Sequence, residues 1–460
     1  MIFKILKGMF TTTHVWLISF LLVVVIFIVI STAALVRHAL YHGPMLSERQ
    51  ATAVIMIAEF PSLVKRAILT LIHGGVDGKH PLLIPKKETE KPGWERIFPA
   101  QQDKGYLLFS GFSQKKNQSI VQLIRISDGA VLAEWIPDWD NIYSKISDKK
   151  FSSKGNINEA RANHPVLLDS GDIIFSSGLF MARINLCQSA PEWLIDKTIH
   201  HSNEISVDKK SIWAPSTIDD YFSDHSFLKK HLRDDSIIRV SLSGQVLENH
   251  SFSKILIENG LRELLLGFGR EFTDDPIHIN QISEAPSNTL YWKRGDLLIS
   301  ARHLSSVFIY RPSTRKIIWH QQGPWMRQHS AYFVNNHQIS VFSNNVITVS
   351  PNFLKSDDMN EVIVYDFATR KSSQPYKRLI KQAQPRTVTE GRAQILPDGG
   401  LFIEESNNGR HLRFTKDRLL WSRVNDFDKN FIGLVSWSRY LTAEQAKAPL
   451  AVISSRSCSQ

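Results

Sequence analysis

Histidine side chains recur just before apolar, strand-like segments of this 460-residue chain. The recurring residues are His164, His200, His201, His278 and His329. An imidazole can act as a nucleophile, as a general acid or base, or as a hydrogen-bond donor to an anion. One histidine at the start of a strand is ordinary, but recurrence at matching places in successive segments favours a shared site.

Arg302 extends this set, because it ends the apolar run LLISA that follows His278. A guanidinium presents a planar fork of donors that suits a tetrahedral oxyanion, although the same residue could be a surface cation. The chain has neither a glycine-rich phosphate loop nor an H-E-x-x-H motif, and two cysteines cannot build a cysteine-based zinc site. We therefore expect no metal and no cofactor.

The charge of the chain is basic but dispersed. The formal net charge is +11, and lysines and arginines are spread without a dense basic run. This pattern argues against a nucleic-acid partner and fits either a solvated basic surface or attraction to anionic lipid, glycan or sulfated substrates. Only Cys187 and Cys458 occur, which excludes a disulfide-dense scaffold and leaves a single bridge between them open.

An uncharged segment near the N-terminus, residues 15–36, is long enough to span a membrane as a helix. The apolar region of a cleaved signal peptide is shorter, at ~7–15 residues, so we expect an uncleaved anchor. Lys4 and Lys7 precede the segment while Arg37 and Arg49 follow it, which weakly favours a cytoplasmic N-terminus. The rest of the chain would then lie on the periplasmic or extracytoplasmic side of the inner (cytoplasmic) membrane.

Residues 47–73 have the spacing of an amphipathic helix that begins at Ser47. The proline- and charge-rich stretch 81–93 is typical of a connector. We assign three domains: a cytoplasmic tip and transmembrane anchor (1–40), a helical segment with the connector (41–98), and the main folded domain (99–460).

Beyond residue 100, short apolar strands separated by turns recur about every 30–45 residues. The six repeating units are residues 105–138, 172–196, 211–252, 296–321, 338–371 and 400–422. We predict an all-β, six-bladed β-propeller, preceded by a transmembrane helix and a short helical segment. A sandwich or a β-solenoid would also fit short strands, but Trp193, Trp319 and Trp421, each after a strand and a turn, favour blades. Since the innermost strands of a propeller line one channel, the histidines at their starts would converge.

Several motifs follow one another in a specific order. HINQIS is an H-x-N motif (His278, Asn280), LLISAR an S-x-R strand ending in Arg302, RQHSAYF a Q-H motif at His329, and FSNN carries the downstream Asn344. Together with HHSNEIS upstream and EGRAQILPDGGLFIEESNNGR downstream, this ordered set resembles the PAPS-independent arylsulfotransferase family. The likeness covers about residues 160–425 and is more specific than any one motif.

The resemblance implies transfer of a sulfuryl group from an aryl sulfate to a phenol or another hydroxyl acceptor, including a glycan, without metal or nucleotide. His329 would be the nucleophile, and His278 with Arg302 would bind the sulfuryl oxygens. His201 or His200 would complete the catalytic cluster, and His201 is our choice. The other expected substrate contacts are His200, Asn280, His164 and Asn344.

Three features depart from the family pattern. Ser330 stands where an acidic residue is common, FSNN replaces an FDNG-like turn, and a loop with Tyr291 and Trp292 lengthens the interval between two motifs. They indicate an altered substrate preference or a loss of turnover. The alternative function is a non-catalytic propeller that binds an anionic glycan or a protein partner at the same channel mouth, with more dependence on Arg302 than on His329.

Overall fold

The chain is seen in a computed structural model. The structure describes residues 12–40, 46–47, 50–51, 53–58, 60, 81–86, 91–97, 103–147, 159–218, 232–266, 273–350, 353–355 and 359–456. It divides into two units, Met1–His80 and Pro81–Gln460, which we describe separately.

The N-terminal unit contains helix α1 (Thr12–Leu40). Within it, Val15–Ala39 is long and apolar enough to cross a membrane, with a mean hydropathy of 3.0. Further on, the Ser47 hydroxyl accepts from the Gln50 backbone N–H (3.4 Å) while the Gln50 side chain accepts from the Ser47 N–H (2.9 Å). This reciprocal pair caps a helical stretch that includes residues 53–58. The part of the predicted helix beyond residue 60 lies outside the described residues.

The second unit is built mostly of strands. In chain order these are β1 (Leu83–Pro85), β2 (Gly93–Arg96), β3 (Tyr106–Ser113), β4 (Gln118–Arg125), β5 (Val131–Trp135), β6 (Asn163–Leu167), β7 (Ile173–Ser176), β8 (Met181–Ile184), β9 (Pro191–Ile195), β10 (Glu204–Ile205), β11 (Ser211–Ile218), β12 (Asp234–Ser241), β13 (Val246–Ser251), β14 (Ile279–Glu284), β15 (Leu297–Ala301), β16 (Ser306–Arg311), β17 (Lys316–Gln322), β18 (Ala331–Phe333), β19 (Gln338–Ser343), β20 (Ile347–Ser350), β21 (Phe353–Lys355), β22 (Glu361–Asp366), β23 (Lys371–Ser373), β24 (Arg392–Ile395), β25 (Leu401–Glu405), β26 (Arg410–Phe414), β27 (Leu419–Val424), β28 (Phe431–Gly433) and β29 (Arg439–Leu441). The helices are α2 (Trp139–Ser144), α3 (Phe252–Glu258), α4 (Arg262–Leu266), α5 (Lys377–Ala383) and α6 (Ala443–Ser455), with 3₁₀ turns at Pro312–Thr314 and Ser406–Asn408.

These strands form a six-bladed β-propeller of antiparallel sheets. Four blades are β6–β9, β10–β13, β14–β17 and β18-β19-β22-β23, in which the first strand is innermost. The blade β24–β27 gains β2 as an outer fifth strand, and the remaining blade has the order β29-β3-β4-β5. Two short pairs, β1 with β28 and β20 with β21, lie outside the blades. The predicted all-β, six-bladed fold is thus confirmed.

Each blade packs its apolar faces on its neighbours. The strand β15, LLISA, is buried throughout, and Leu298 joins Val307, Val341 and Ile363 in one cluster shared by two adjacent blades. The outermost strand β17 is half-buried and has no fully buried residue. The tryptophans noted in the sequence all lie in the fourth strand of their blades, at Trp193, Trp319 and Trp421. In these three blades the repeat of strand, turn and tryptophan therefore marks the fourth strand.

The ring closes by joining the two ends of the propeller. Strand β29 pairs antiparallel with β3, with Arg439 opposite Leu108 and Leu441 opposite Tyr106. Asp103 reinforces this junction, because its carboxylate accepts from the Tyr440 hydroxyl (2.6 Å) and from Trp421 Nε1 (2.8 Å). One side chain thus ties together the first blade, the last blade and the closing strand.

The repeating units predicted from sequence correspond to the second, third and fourth strands of the blades. The innermost strand precedes each unit in the chain, except in the first blade, where β29 supplies it from the other end.

Within the predicted connector, β1 pairs with β28 and β2 with β27, so these stretches add strands to the second unit. The proposed domain boundaries stay a prediction. Cys187 is disulfide-bonded, and Cys458 lies outside the described residues.

We expect Asp103→Ala to weaken ring closure. The substitution leaves the buried donors of Tyr440 and Trp421 without acceptors, each at a cost of about 1–3 kcal/mol. The free energy of unfolding, measured with denaturant, should fall by about 2–6 kcal/mol. The control is Asp128→Ala, which removes an exposed turn carboxylate paired with Arg125 in the same blade. Equal losses in both variants would contradict a special role for Asp103.

Candidate active site

The predicted histidines meet where the inner strands begin. The His201 ring centroid lies 4.8 Å from that of His278, 6.0 Å from that of His329 and 5.0 Å from that of His200. These residues precede three different inner strands, β10, β14 and β18. The propeller thus assembles one imidazole cluster from positions far apart in the sequence.

His329 is buried and its tautomer is set by Asn344. The Asn344 amide nitrogen donates to the backbone oxygens of Thr387 (2.9 Å) and Glu390 (2.8 Å), so its Oδ1 atom faces His329. Oδ1 lies 2.7 Å from His329 Nδ1, and because this oxygen only accepts, Nδ1 must carry the proton. His329 Nε2 is therefore the bare nitrogen, and it is buried without a partner. Asn344, expected to contact substrate, lies behind the imidazole as its hydrogen-bond acceptor.

Arg302 is a buried cation with unused donors. Its backbone N–H donates to the carbonyl of His278 (2.9 Å), because β15 pairs with β14. Nε and one terminal nitrogen of its guanidinium are buried without a hydrogen-bond partner. Burial, together with the nearby charge of Arg327, lowers the pKa of Arg302 to about 10. It therefore stays charged at neutral pH, and its charge lowers the pKa of His329.

His278 is held by a carboxylate. Its Nδ1 atom lies 2.6 Å from Asp275 Oδ2. Burial acts to raise the pKa of Asp275, but the hydrogen bond with His278 and the charges of His278 and Arg233 outweigh burial and lower that pKa. The ionised carboxylate accepts, so His278 Nδ1 donates. An imidazole paired in this way can hold a second proton at Nε2, as an acid–base residue needs.

His200 and His201 are coupled to each other, with their Nδ1 atoms 2.7 Å apart. His200 Nε2 points away from this contact toward Asp235 (3.5 Å). The His201 ring instead lies between those of His278, His329 and Trp437. Of the two alternatives from the sequence, His201 has the more central position.

His164 lines the wall of the channel. Its ring stacks on Trp437 with centroids 4.4 Å apart, and its Nδ1 atom lies 3.0 Å from an Arg392 terminal nitrogen. Since a guanidinium only donates, Nδ1 accepts and the proton sits on Nε2, which has no partner. Arg392 and Arg439 also clamp Glu204 at 3.0 and 2.7 Å. These two arginines thus form ion pairs with a carboxylate, whereas Arg302 forms none among the described residues.

Asn280 supports the cluster through the backbone next to His329. Its amide nitrogen donates to the backbone oxygen of Gln328 (2.7 Å), the residue before His329. The Gln328 side chain in turn donates to the backbone oxygens of Ala301 (3.1 Å) and Ser306 (2.9 Å). These bonds link the strand that ends at Arg302 to the segment that carries the predicted nucleophile.

A cavity of about 300 Å³ opens beside this cluster. Its walls include His200, His201, Tyr143 and Trp437, together with an ion pair between Arg161 and Glu390 at 2.6 Å. Aromatic faces and charged groups both border the space. The cavity offers room for an organic group next to the imidazoles.

The backbone is left-handed at three of the predicted histidines. The φ angles are 49° at His164, 59° at His201 and 55° at His278. This conformation is uncommon for residues other than glycine, and such residues cluster at functional sites. Before β18 the left-handed residue is Arg327 (51°), so His329 sits two positions further along its segment. The histidines converge without being strictly equivalent in register.

The departures from the family pattern have structural explanations. The Ser330 hydroxyl accepts from the backbone N–H of Ala393 (3.0 Å), joining two inner strands. Trp292, in the lengthened loop, is buried against Phe333 and Phe367. In the FSNN turn, Ser343 donates to Asn345 (2.6 Å). These contacts stabilise blades and turns, and none of them removes an imidazole from the cluster.

Sequence reasoning missed Asp275 and His303. Within the described residues, ligand atoms of Asp275, His278 and His303 all lie within 4.8 Å of one another, as a metal site would require. However, the Nδ1 atom of His303 is 2.6 Å from the backbone oxygen of Asp275, and its Nε2 is 2.9 Å from an Arg302 nitrogen. Both ring nitrogens are thus engaged in hydrogen bonds. Two sequence features could have indicated these residues. Asp275 precedes His278 with D-x-x-H spacing, and His303 directly follows Arg302.

Comparisons with known proteins add an independent result to this geometry. Residues 173–425 match the family model described as arylsulfotransferase (ASST). Because the match covers more than half of the chain, the protein belongs to the arylsulfotransferase (ASST) family. Within this family the search of curated proteins adds no particular relative, since none matches.

Solved structures show only distant similarity. A protein of unknown function from Bacteroides caccae has 12% identity and a TM-score of 0.45, covering 74% of this chain and 99% of that one. Hydrazine synthase of Kuenenia stuttgartiensis has 9% identity and a TM-score of 0.36, covering 65% and 71%. Virginiamycin B lyase from Staphylococcus aureus has 11% identity and a TM-score of 0.30, covering 56% and 67%. These similarities are too distant to indicate a function, so the family match alone bears on activity.

The buried imidazoles should make stability depend on pH. Burial, with the charges of Arg392 and Arg439, holds the pKa of His164 well below its ordinary value. In the unfolded chain the pKa returns to about 6.5, so below that pH the unfolded state binds a proton that the folded state excludes. Stability is therefore lost as the pH falls through ~6.5, by up to ~1.4 kcal/mol per pH unit for each such group.

We expect His164→Asn to reduce this slope by about one group's share, ~1.4 kcal/mol per pH unit below pH ~6. Asparagine tolerates the left-handed backbone at this position. The free energy of unfolding would be measured with denaturant between pH 7.5 and 5. His337→Asn, at a half-exposed histidine, is the matched control and should leave the slope unchanged. An unaltered slope in His164→Asn would argue against a neutral, buried His164.

Proposed function

We propose that this arylsulfotransferase-family protein moves a sulfuryl group from a phenolic sulfate ester to a phenol or another hydroxyl acceptor through a sulfohistidine at His329. The observation that carries the proposal is the bare, buried and unpartnered Nε2 atom of His329, whose tautomer Asn344 sets. Burial and the charge of Arg302 hold the pKa of His329 well below its ordinary value. The ring is therefore neutral and nucleophilic at neutral pH.

In the first half-reaction, His329 Nε2 attacks the sulfur and an N–S bond forms. The bond from sulfur to the aryl oxygen breaks, and the electron pair leaves on that oxygen. His278 gives it a proton from Nε2, while its Nδ1–H stays on the Asp275 carboxylate. The sulfated imidazole ring is positively charged, and its Nδ1–H remains hydrogen-bonded to Asn344 Oδ1.

In the second half-reaction, the acceptor hydroxyl attacks the same sulfur and the N–S bond breaks. Its proton returns to His278, and its oxygen becomes the new ester oxygen. No net oxidation or reduction occurs, and the protein ends as it began. The cavity beside His201 would hold the aryl group of the donor or acceptor between aromatic walls.

The transition state spreads negative charge over the sulfuryl oxygens. Arg302 offers two unused donors in a buried setting, where fixed donors stabilise such charge most effectively. His201, central among the rings, and His164, with a free Nε2–H, would complete the set. His200 and Asn280 would support the site indirectly. His200 contacts His201, and Asn280 donates to the backbone oxygen of Gln328, the residue before His329.

We further propose that α1 anchors the protein in the inner membrane and that the propeller faces the periplasmic side. The length and hydropathy of Val15–Ala39 support the span. The lysines before it and the arginines after it support the orientation only weakly.

We expect His329→Ala to abolish transfer. Loss of a covalent nucleophile typically lowers turnover by about 10³-fold or more. The measurement is release of nitrophenol from 4-nitrophenyl sulfate in the presence of a phenol, together with acid-labile ³⁵S on the protein. The control is His337→Ala, at the half-exposed histidine beside Asp366. Transfer that survives in His329→Ala would remove the proposed nucleophile.

The same experiment tests the non-catalytic alternative, which the unused donors of Arg302 also favour. That alternative predicts saturable binding of inorganic sulfate to the wild-type protein with neither nitrophenol release nor a ³⁵S label. In that case sulfate binding would be weakened by Arg302→Ala and little affected by His329→Ala.

We expect Asp275→Asn to impair the proton donor selectively. Without the carboxylate, His278 is a weaker acid–base residue, and general acid catalysis contributes about 10²–10⁴-fold when the leaving group needs a proton. kcat should fall far more with phenyl sulfate than with 4-nitrophenyl sulfate, whose leaving group is stable as an anion. The adjacent, exposed Asp274→Asn is the control. Equal losses with both donors would contradict this role for the dyad.

A further inference from the structure

The guanidinium of Arg302 has a single side-chain partner among the described residues, the neighbouring His303. One Arg302 terminal nitrogen lies 2.9 Å from His303 Nε2. No carboxylate in the described part of the chain forms an ion pair with Arg302. A buried arginine more commonly pairs with Asp or Glu, as Arg392 and Arg439 do with Glu204 in the same channel.

The two hydrogen bonds of His303 define its tautomer. Its Nδ1 atom is 2.6 Å from the backbone oxygen of Asp275, which can only accept, so Nδ1 carries the proton. The guanidinium can only donate, so Nε2 must be the bare acceptor. Both contacts are satisfied together by one state alone, the neutral ring protonated at Nδ1.

The surroundings keep that ring neutral. Burial, together with the charge of His278, lowers the pKa of His303 to about 4. The His303 ring stacks on that of His278, with centroids 4.4 Å apart and planes at 25°. When His278 holds its second proton, that charge further disfavours a proton on His303.

A neutral acceptor has a specific consequence for Arg302. The His303 ring accepts from one N–H of the Arg302 guanidinium and so orients its plane. Because the ring is neutral, it adds no negative charge beside the cation. Nε and the other terminal nitrogen remain unpaired. A carboxylate in the same place would orient the fork equally well but would weaken its attraction for an anionic substrate.

We propose that His303 is a positioning residue, which orients Arg302 toward the sulfuryl oxygens through a neutral imidazole and leaves Arg302 without a directly paired carboxylate. The inference rests on the proposed sulfuryl transfer and adds to it the reason why this arginine is followed by a histidine. Asp275 then supports the site twice, through its carboxylate on His278 and its backbone oxygen on His303.

A double-mutant cycle on the full-length, detergent-solubilised protein tests whether His303 acts through Arg302. The variants are His303→Phe, which keeps a flat ring to stack on His278, then Arg302→Ala, and both together. Misorientation of a catalytic group commonly costs about 10²-fold, so we expect kcat/KM for 4-nitrophenyl sulfate to fall about 10–100-fold in His303→Phe. In the Arg302→Ala background the same change should have no further effect.

The control is His320→Phe, an exposed histidine in the same blade that stacks on Phe308, and it should retain wild-type kcat/KM. If the loss in the double variant equals the product of the two single losses, His303 acts independently of Arg302 and the inference is overturned. A wild-type protein without any transfer would instead count against the proposed function, and a measurement of the His303 tautomer then tests the inference by itself.

The tautomer can be measured without turnover. Side-chain ¹⁵N–¹H correlation spectra of the wild-type protein, assigned by comparison with His303→Phe, should show His303 with Nδ1 protonated and Nε2 bare at pH 7. This state should persist until the pH approaches about 4. A ring protonated at Nε2, or an Nδ1 atom occupied by a divalent metal ion when zinc is added, would contradict the proposal whatever the activity.

Discussion

The hydrogen bonds between β29 (residues 439–441) and β3 (residues 106–113) join the end of the propeller to its beginning. Each blade has apolar side chains on both faces of its sheet, and the first and last blades cover each other only when the ring is complete. Completion of the ring also brings the starts of the inner strands to one channel. The convergence of His201, His278 and His329 therefore depends on a strand pairing far from any of them in the sequence.

Within the channel, the protonated nitrogen of each histidine ring is determined by a hydrogen-bond partner that can only donate or only accept. Asn344 accepts from His329, Arg392 donates to His164, and the backbone oxygen of Asp275 accepts from His303. Each of these rings thus has one defined bare nitrogen. Because burial keeps the rings neutral, the geometry of these contacts determines which nitrogen can attack and which can donate.

The distribution of charge follows the same principle. Glu204 forms ion pairs with Arg392 and Arg439, whereas the Arg302 guanidinium has a neutral imidazole as its hydrogen-bond partner. An anion that enters the channel would find two unpartnered guanidinium nitrogens on Arg302, which forms no ion pair among the described residues. This asymmetry agrees with the family assignment, since a sulfate ester carries its negative charge on the oxygens that such a donor would bind.

The amino-acid sequence by itself determined the fold class, because six strand-and-turn units, several of them with a tryptophan in the last strand, repeat at regular intervals. It also predicted which histidines would converge with Arg302, since each lies next to an apolar strand and within an ordered family motif. It did not indicate that Asn344 lies behind His329, or that His303 holds Arg302. Only the tertiary structure decided these contacts, because a hydrogen bond depends on distance and direction in space, and strand spacing along a chain specifies neither.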